Sequence, residues 1–518
     1  MNYFVGIDLG TQSVKVTFYN PKSESIFGRG LEYPKTPGRS PEGYLDRNIE
    51  LYWRSTIDLI KSIIREEDIN PKEIRALSFS VLGETFVPTD ENFIPLRNAF
   101  SGHDIKGSEE AEIIIKNFGS DILHSISGQP NVEVVWPAVK ILLLKIREPE
   151  IFKKTKRYLN LEDYFIYKLT GKFVSEKSML CTSLYYDIIN QSWYKPMLDF
   201  LNIEEEFLPE IKDSCKIVGN ITKKASIETS LSQETLVITG AMDQIAGGVG
   251  AGNIEQGVLS ETTGTSLAIG ATFKGDIKKI DKNIPVYPHI MKDSYFLMPW
   301  SLSGGIFLRW FKDTFFLVEK NIAENINLDI YNIMDKLAEK VPVGSDGLIA
   351  LPFLLGSAYP NFNNDAKAAF FGISFSHEKP HFVRAILESI TFLIRDNIDF
   401  IKNSGISFNK IISLGGGSKS SLWCQMKADI CKIPVEVPKY GSLSSSIGAC
   451  FFAALGYGYF KSLKEIMTNK LLETEKIFEP QDKNSKIYDD IFIKYKNLYR
   501  NVFKQDYKQF KNYLLRVN

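Results

Sequence analysis

Two similar hairpin patterns, one at the start of the chain and one just past its middle, constrain the fold more than any other feature. The segment "VGIDLGTQSVKVTFY" begins at Val5, and the segment "VLSETTGTSLAIGAT" begins at Val258. Each predicts a strand, a tight turn that contains Gly-Thr, and a return strand with alternating apolar residues. Two such hairpins about half a chain apart predict two related domains that face each other. Because Gly-Thr turns are common, chance similarity remains the alternative.

The segments around these hairpins mix strands with amphipathic helices and therefore predict an α/β fold. A helix is expected at about Asn48 to Glu67, because its apolar residues recur every three or four positions. At 518 residues the chain is too long for a single core. We place the boundary near Asn253, which gives one domain of residues 1–252 and a second of residues 253–518.

Composition excludes several classes of protein. Sixty-two basic residues balance 62 acidic ones, so no global field attracts nucleic acid or an anionic membrane. The five cysteines form no CxxC pair, which argues against a zinc site or a disulfide framework and favours a reducing compartment. The start lacks a basic signal-peptide region, and the longest apolar run is shorter than the roughly 18 residues of a membrane span. We expect a cytoplasmic protein.

The first hairpin is a candidate phosphate site. Its turn, from Asp8 to Ser13, can direct several backbone N–H groups and hydroxyls toward one anion. Asp8 could hold Mg²⁺ through water, and Lys15 could add positive charge. An ordinary hairpin with a capping aspartate is the alternative. The second hairpin, at Thr263 to Ser266, could bind the same phosphates from the other side.

The segment "IISLGGGSKSSLWCQMKADI" predicts a strand, a glycine-rich turn and a helix from Ser420 to Ile430. It is not a P-loop, because Ser418 precedes Lys419 and the GxxxxGK[ST] spacing is absent. A turn without side chains before a helix suits the ribose or phosphate edge of a nucleotide. The alternative is a turn that needs glycine only for close packing.

A single carboxylate stands among small residues in "TGAMDQIAGGVGAGN". Asp243 follows the predicted strand "ETLVITG" and could accept a proton from a hydroxyl that attacks phosphorus. Gln244 could bind a neighbouring hydroxyl. The alternative is that Asp243 caps a helix that begins at Ile245.

These segments, in this order, resemble the FGGY family of carbohydrate kinases. The most specific match is "AAFFGISFSHEKPHFVRAILE", from Ala368 to Glu388, which fits the second signature of the family at every constrained position. The resemblance covers essentially the whole chain, and it includes xylulokinase-like and glycerol kinase-like features. It implies two actin-like ATPase domains of the ribonuclease H type that flank a catalytic cleft.

The resemblance also implies residue roles. It implies that Asp243 is the catalytic base and that Asp8 is the acid associated with Mg²⁺. The substrate contacts that it implies are Glu84, Asp104, Asp243 and Gln244. The ATP contacts that it implies are Thr11, Gln12, Ser13, Lys15, Thr265, Gly305, Gly416 and Ser420.

The departures from the family pattern lie on the sugar side. The family's Trp-x-Asp-x-Arg segment keeps Asp104 but has Gly102 and Lys106 at the other two positions. The first signature keeps Lys140 but has Leu143 where Trp is usual. Position 84 is Glu, as in glycerol kinases, whereas xylulokinases have His there.

The resulting prediction is an ATP- and Mg²⁺-dependent kinase that phosphorylates a terminal hydroxyl of a small sugar, with a ketopentose such as xylulose favoured. Glycerol or another polyol, ribulose, a hexulose and a gluconate-type sugar acid remain alternatives. A non-kinase actin-fold ATPase and a sugar-binding regulator are the rivals from other classes. We expect no nucleic acid or membrane partner, and assembly as a homodimer is left open.

Overall fold

The computed structural model describes residues 1–34, 46–102 and 104–503. The strands of the first half are β1 (Tyr3–Leu9), β2 (Ser13–Asn20), β3 (Ser25–Glu32), β4 (Asp46–Arg47), β5 (Ile74–Val81), β6 (Phe86–Thr89), β7 (Ala99–Phe100), β8 (Arg157–Asn160), β9 (Val174–Glu176), β10 (Tyr186–Asp187), β11 (Ser192–Trp193), β12 (Glu210–Lys212), β13 (Ile217–Asn220), β14 (Leu236–Ile238) and β15 (Ala241–Met242). Its helices are α1 (Ile49–Glu66), α2 (Ser108–Phe118), α3 (Ser120–Ser127), α4 (Pro137–Arg147), α5 (Pro149–Lys154), α6 (Leu161–Thr170), α7 (Lys177–Leu180), α8 (Lys195–Leu201), α9 (Lys223–Thr229) and α10 (Asp243–Gly250).

The first strand of the second half begins at Val258. Its strands are β16 (Val258–Thr263), β17 (Leu267–Lys274), β18 (Val286–Pro288), β19 (Ser294–Leu297), β20 (Trp300–Ser301), β21 (Ile349–Leu351), β22 (Ala369–Phe371), β23 (Lys410–Leu414), β24 (Val435–Pro438) and β25 (Thr474–Phe478). Its helices are α11 (Ile306–Phe315), α12 (Leu317–Asn325), α13 (Ile330–Glu339), α14 (Lys379–Lys402), α15 (Ser421–Cys431), α16 (Ser444–Tyr457), α17 (Leu463–Ile466) and α18 (Asp482–Val502).

Each half has one large sheet, and the two sheets share a topology. In the first, the order β3–β2–β1–β5–β14 begins with antiparallel pairs and continues with parallel pairs. In the second, the order β19–β17–β16–β23–β24 repeats the same sequence of pairings. The hairpins β1–β2 and β16–β17 therefore hold equivalent places, and the prediction of two related domains is confirmed.

The helix predicted at Asn48 to Glu67 is present as α1, with Asn48 as its N-cap residue. The Asn48 side chain accepts a hydrogen bond from the backbone N–H of Glu50 at 3.0 Å. The predicted apolar stripe faces the core, and its residues are Ile49, Trp53, Ile57, Ile60 and Ile64. The spacing of apolar residues was sufficient to predict this helix, because one face of it is buried along its whole length.

Helix α16 lies in the second half by sequence, but it packs on the sheet of the first half and crosses α10. A Cβ atom at Gly250 would lie 1.9 Å from the backbone oxygen of Ser444, and one at Gly448 would lie 2.0 Å from that of Ala246. Only glycine allows two helix backbones to approach so closely. The crossing therefore joins the two halves beside the segment that carries Asp243.

A smaller subdomain is inserted in the first half. Its four-stranded sheet has the order β4–β7–β6–β8, and its apolar core is separate from the main one. Leu143 is fully buried in that core, so the position where the family usually has Trp is a packing position in this chain. All five cysteines are free. In the described part of the chain, no helix is both long enough and apolar enough to cross a bilayer.

Candidate active site

Three acidic residues lie at or just after strand ends along the carboxyl edge of the first sheet. Asp8 lies near the end of β1, Glu84 follows the end of β5, and Asp243 follows the end of β15. Ser80 of β5 pairs with Asp8 on one side and with Ala241 on the other, so the three strands run parallel and end together. Parallel strands bring the residues that follow them to one edge of the sheet.

Asp243 is the first residue of α10, and Met242 occupies the N-cap position without a side-chain cap. The helix-capping interpretation of Asp243 is therefore wrong. Desolvation raises the pKa of Asp243 to about 7, and the negative charges of Asp8 and Glu84 add to the effect. A carboxylate with such a pKa is suited to exchange a proton with a substrate near neutral pH. Gln244 hydrogen-bonds to this carboxylate.

Glu84 is held in a left-handed backbone conformation, with φ of +60°. Such a conformation is unfavourable for a residue with a side chain and often occurs at binding sites. Desolvation raises the pKa of Glu84 to about 7, the Thr182 hydroxyl opposes this by donating a hydrogen bond, and Glu133 adds to the rise. A side chain at Gly102 would start 3.5 Å from Glu84 Oε2, so glycine leaves the space beside this carboxylate open.

Asp8 is mostly buried, and Ser80 Oγ donates to its Oδ1 at 2.8 Å. Lys15 Nζ lies 3.9 Å from Asp8 Oδ2 and donates to the backbone oxygen of Ser442 at 3.2 Å. Burial raises the pKa of Asp8, and Lys15 and Ser80 oppose that rise. Lys15 thus links the first hairpin to the start of α16 in the other half.

The second hairpin is built into the elements around it. Its Gly264 oxygen accepts from the Gly305 N–H at 2.8 Å, and its Thr265 hydroxyl accepts from Arg309 Nη2 at 2.7 Å. The glycine-rich turn packs behind it, since a Cβ atom at Gly417 would lie 2.9 Å from Thr263 Cβ. The second hairpin, the start of α11 and the glycine-rich turn therefore pack together at the end of β16.

The family models decide what this arrangement belongs to. The model for the N-terminal domain of the FGGY family of carbohydrate kinases matches residues 3–250, and the model for its C-terminal domain matches residues 261–457. The chain belongs to the FGGY family of carbohydrate kinases. It is a sugar kinase, which transfers a phosphoryl group to a small sugar.

Relatives extend along the whole kinase chain. The xylulose kinase of Bacillus subtilis (strain 168) is 29% identical over 499 residues, which are 96% of this chain and 97% of the relative. The gluconokinase of the same organism is 26% identical over 515 residues, which are 99% and 98% of the two chains. The structure of a ligand-bound xylulose kinase from Lactobacillus acidophilus has a TM-score of 0.88 at 24% identity and covers 98% of this chain and 100% of its own.

Most residues predicted to bind nucleotide lie in the two hairpins and the glycine-rich turn. Thr11 and Ser13 are half-buried in the first hairpin, and Gln12 and Thr265 are exposed. Gly416 is exposed in the glycine-rich turn. Their contact with a nucleotide stays a prediction.

Ser420 is placed differently. Its hydroxyl accepts from the Trp423 N–H at 3.0 Å, as the N-cap of α15, and it also donates to Asp335. One acceptor lone pair of this hydroxyl is left over. The structure therefore gives Ser420 a capping role beside the glycine-rich turn, and its contact with adenosine stays a prediction.

Asp104 also departs from its predicted role. It has no exposed surface, and Lys140 Nζ lies 2.9 Å from its Oδ1. The backbone N–H of Lys106 donates to the same oxygen at 2.8 Å. This buried pair joins the Asp104 loop to α4 of the inserted subdomain, and the structure does not support direct contact between Asp104 and a sugar.

The donor set fits a magnesium ion that is bound mainly by substrate phosphates. Among the described residues, no three His, Cys, Asp or Glu side chains converge to form a metal site by themselves. Mg²⁺ usually keeps several waters and takes one or two carboxylates together with phosphate oxygens. Asp8, a single hard oxygen ligand beside the first hairpin, meets that requirement.

Sequence reasoning missed several polar residues of the site. Arg309 reaches the second hairpin from α11, and Thr182 reaches Glu84 from the segment after α7. Tyr287 of β18 approaches from the second half; burial raises its pKa well above the usual range, and Glu84 and Asp243 contribute. Arg309 follows the predicted Gly305 by one helical turn, and this spacing is a signal that could have identified it.

Proposed function

We propose that this kinase transfers the γ-phosphoryl group of ATP to a terminal hydroxyl of a ketopentose such as xylulose, with Mg²⁺ as cofactor. The observation that carries the proposal is Asp243, a carboxylate with a pKa of about 7 at the carboxyl edge of the first sheet. The names of the xylulose kinase relatives support the choice of substrate. The arrangement accounts for both proton transfer and phosphate binding.

In the proposed reaction, Asp243 accepts the proton of the sugar hydroxyl while the hydroxyl oxygen forms a bond to the γ-phosphorus. The bond from that phosphorus to the bridging oxygen breaks, and ADP leaves with its electron pair. Gln244 orients the Asp243 carboxylate, to which it is hydrogen-bonded. The hydroxyls of Thr11, Ser13 and Thr265 and the backbone N–H groups of their turns would hold the phosphates.

Two cationic residues lie at the phosphate hairpins. Lys15 belongs to the first hairpin, and Arg309 donates to Thr265 of the second. Both are placed to neutralise charge on the phosphates. Asp8 would hold Mg²⁺, which when bound supplies further charge neutralisation between the phosphate groups.

A polyol such as glycerol is the second candidate substrate, because Glu84 occupies the position where xylulokinases have His. A sugar acid is less favoured on electrostatic grounds. Asp8 and Glu84 act electrostatically on Asp243, and Glu133 acts on Glu84, so this group of carboxyls would repel an anionic substrate. The relative named gluconokinase makes this alternative worth testing directly.

Replacement of the base tests the mechanism. Asp243→Asn keeps the shape of the side chain but cannot accept the proton, so kcat should fall by about 10²–10⁴-fold. Nucleotide affinity, measured by calorimetry with ADP, should change by less than about threefold, because the hairpins are intact. Near-normal turnover in the variant would contradict the assignment.

A coupled ADP-release assay across pentuloses, hexuloses, polyols and aldonic acids tests the substrate. The highest kcat/KM is expected for xylulose. A higher value for glycerol would establish the second candidate, and a higher value for gluconate would overturn the electrostatic argument. ATP hydrolysis unaffected by every sugar would contradict the assignment as a sugar kinase.

A further inference from the structure

A group of fully buried acidic residues lies behind the catalytic base and takes no part in the proposed reaction. Glu162 of α6 and Glu176 at the end of β9 have 0% and 1% of their surface exposed. Their hydrogen-bond partners are hydroxyls and backbone N–H groups. Burial is the main reason that the pKa of Glu176 rises to about 7 and that of Glu162 rises well above its usual value. Burial of acids without a counter-charge costs free energy of folding, so their retention indicates a functional role.

Glu162 binds the backbone just before Asp243 directly, and Glu176 acts on it through Ser178. Glu162 Oε1 accepts from the backbone N–H of Gly240 at 2.7 Å. Ser178 Oγ accepts from the backbone N–H of Met242 at 3.0 Å and donates its own hydrogen to Glu176 Oε2. Gly240 and Met242 alternate along an extended segment, so their N–H groups point to the same side.

Glu176 holds Ser178 in this orientation. Its Oε2 also accepts from the backbone N–H of Ser178 at 2.8 Å, and its Oε1 accepts from Ser214 Oγ at 2.6 Å. Because the Ser178 hydroxyl has a single hydrogen, donation to Glu176 leaves its lone pairs directed toward Met242. The carboxylate thus determines that Ser178 acts as an acceptor.

The opposite side of the same segment is also restrained. Ala241 and Met242 pair with Ser80 and Val81 of β5, and a Cβ atom at Gly240 would lie 2.1 Å from the backbone oxygen of Phe79. The segment is therefore held between β5 and the buried acids. A base must be placed to within a fraction of an ångström, and an error of about 1 Å can cost on the order of 10²-fold in rate.

We propose that Glu162 and the Glu176–Ser178 pair form a backbone clamp on Gly240 and Met242 that positions Asp243 for proton transfer. The clamp residues are buried and act on Asp243 through the backbone, so they are positioning residues. This inference rests on the proposed role of Asp243 as the base.

The main test compares two serines that bind the same carboxylate. Ser178→Ala removes the acceptor for Met242, whereas Ser214→Ala removes a hydrogen bond to Glu176 and leaves Met242 held. We expect Ser178→Ala to lower kcat by about 10–100-fold with the KM values for sugar and ATP within about threefold. Ser214→Ala should keep kcat within about threefold. Equal kcat values in the two variants, at matched loss of thermal stability, would overturn the clamp.

Conservative replacements that keep the hydrogen-bond acceptor should preserve kcat. Ser178→Thr keeps the hydroxyl and Glu162→Gln keeps an acceptor oxygen, so both should retain kcat within about fivefold, whereas Glu162→Leu should behave like Ser178→Ala. If Ser178→Ala does not fold, Ser178→Cys replaces it in the comparison, since a thiol has a similar shape but accepts weakly. A kcat for Ser178→Thr as low as that of Ser178→Ala would contradict the proposal.

A double variant separates this inference from the proposed function. If the clamp acts through Asp243, adding Ser178→Ala to Asp243→Asn should cause less than about a twofold further loss of kcat. A full additional loss would show that Ser178 acts by another route, even if Asp243 is the base. Normal turnover in Asp243→Asn alone would instead contradict the proposed function.

Discussion

The loops on the two sides of the active site are supported by different chemistry. In the second half, Lys427 of α15 pairs with Glu261 of β16, and both side chains are fully buried. Thr263 Oγ1 donates to Glu261 Oε2 at 2.6 Å, so the ion pair sits directly beneath the second hairpin. In the first half, Glu162 and Glu176 support the Asp243 segment through neutral donors. The second hairpin therefore depends on a charge pair, whereas the segment that carries Asp243, the proposed base, depends on acids that favour protonation.

The two halves therefore differ in how the free-energy cost of burying a charged group is offset. A buried lysine and carboxylate compensate each other, but the removal of one leaves the other without a partner. A buried acid held by neutral donors has no counter-charge, so it takes up a proton more readily. The nucleotide side should therefore be sensitive to mutation of a cation, and the base side should be sensitive to pH.

The largest effect is expected from Lys427→Met, which leaves Glu261 buried without its cation. The free energy of unfolding should fall by about 3–5 kcal/mol, as measured by urea denaturation. Lys410→Met is the matched control, because Lys410 Nζ lies 3.2 Å from Glu436 in a partly exposed pair. The control should lose less than about 1 kcal/mol. Equal losses of unfolding free energy in the two variants would show that the buried Lys427–Glu261 pair contributes no more than a partly exposed pair.

The next effect concerns the pH dependence of stability. Because folding raises the pKa of Glu176 from about 4.5 to about 7, the folded state binds this proton more tightly than the unfolded state. Its stabilising contribution is complete below about pH 4.5 and is lost as the pH rises through about 7. Glu176→Gln should reduce the decrease in unfolding free energy between pH 5 and pH 8 by about 2–3 kcal/mol.

The exposed Glu91 supplies the control for that experiment, and Glu91→Gln should leave the pH dependence unchanged. The comparison requires the unfolding free energies of the wild type, Glu176→Gln and Glu91→Gln at several pH values. A Glu176→Gln profile parallel to the wild-type profile would show that this acid is not protonated on folding.

The smallest effect is a shift in the pH profile of activity. The base works when deprotonated, so kcat/KM should fall about tenfold per pH unit below the pKa of Asp243, which is about 7. Desolvation and the charge of Asp8 raise the pKa of Asp243 more than the charge of Glu84 does. Glu84→Gln should therefore move the acid limb to lower pH by less than about one unit. An unmoved limb, or one at higher pH, would show that the two carboxylates are not coupled.

Local patterns were enough to predict the parts of the site that lie along single segments. Both hairpins, the glycine-rich turn, α1 and the position of Asp243 after a strand all follow from periodicity and turn residues within about twenty positions. The edge where Asp8, Glu84 and Asp243 meet was not predictable in the same way. It requires the parallel order of β1, β5 and β15, whose residues are far apart in sequence.

Contacts between distant residues account for what sequence reasoning missed. Asp104 was expected at the sugar, but its partner Lys140 is 36 positions away and makes it a buried structural residue. Glu162 lies 78 positions from Gly240, and nothing in the segment "NLEDYF" indicates that it binds the backbone beside the base. Single-sequence patterns report which face of an element is buried, but they do not report what that face meets.

The position of α16 has a consequence for how the chain is made. This helix covers the first sheet, where its Ser446 Oγ lies 2.8 Å from Thr17 Oγ1 and its Phe451 packs edge-on against Tyr19. Multidomain chains usually complete their N-terminal domain first during synthesis. Here the face of the first sheet that α16 covers cannot be fully buried until α16, which ends at Tyr457, has been synthesised. Residues 1–252 expressed alone would therefore lack part of their own core, and the two halves must mature as one cooperative unit.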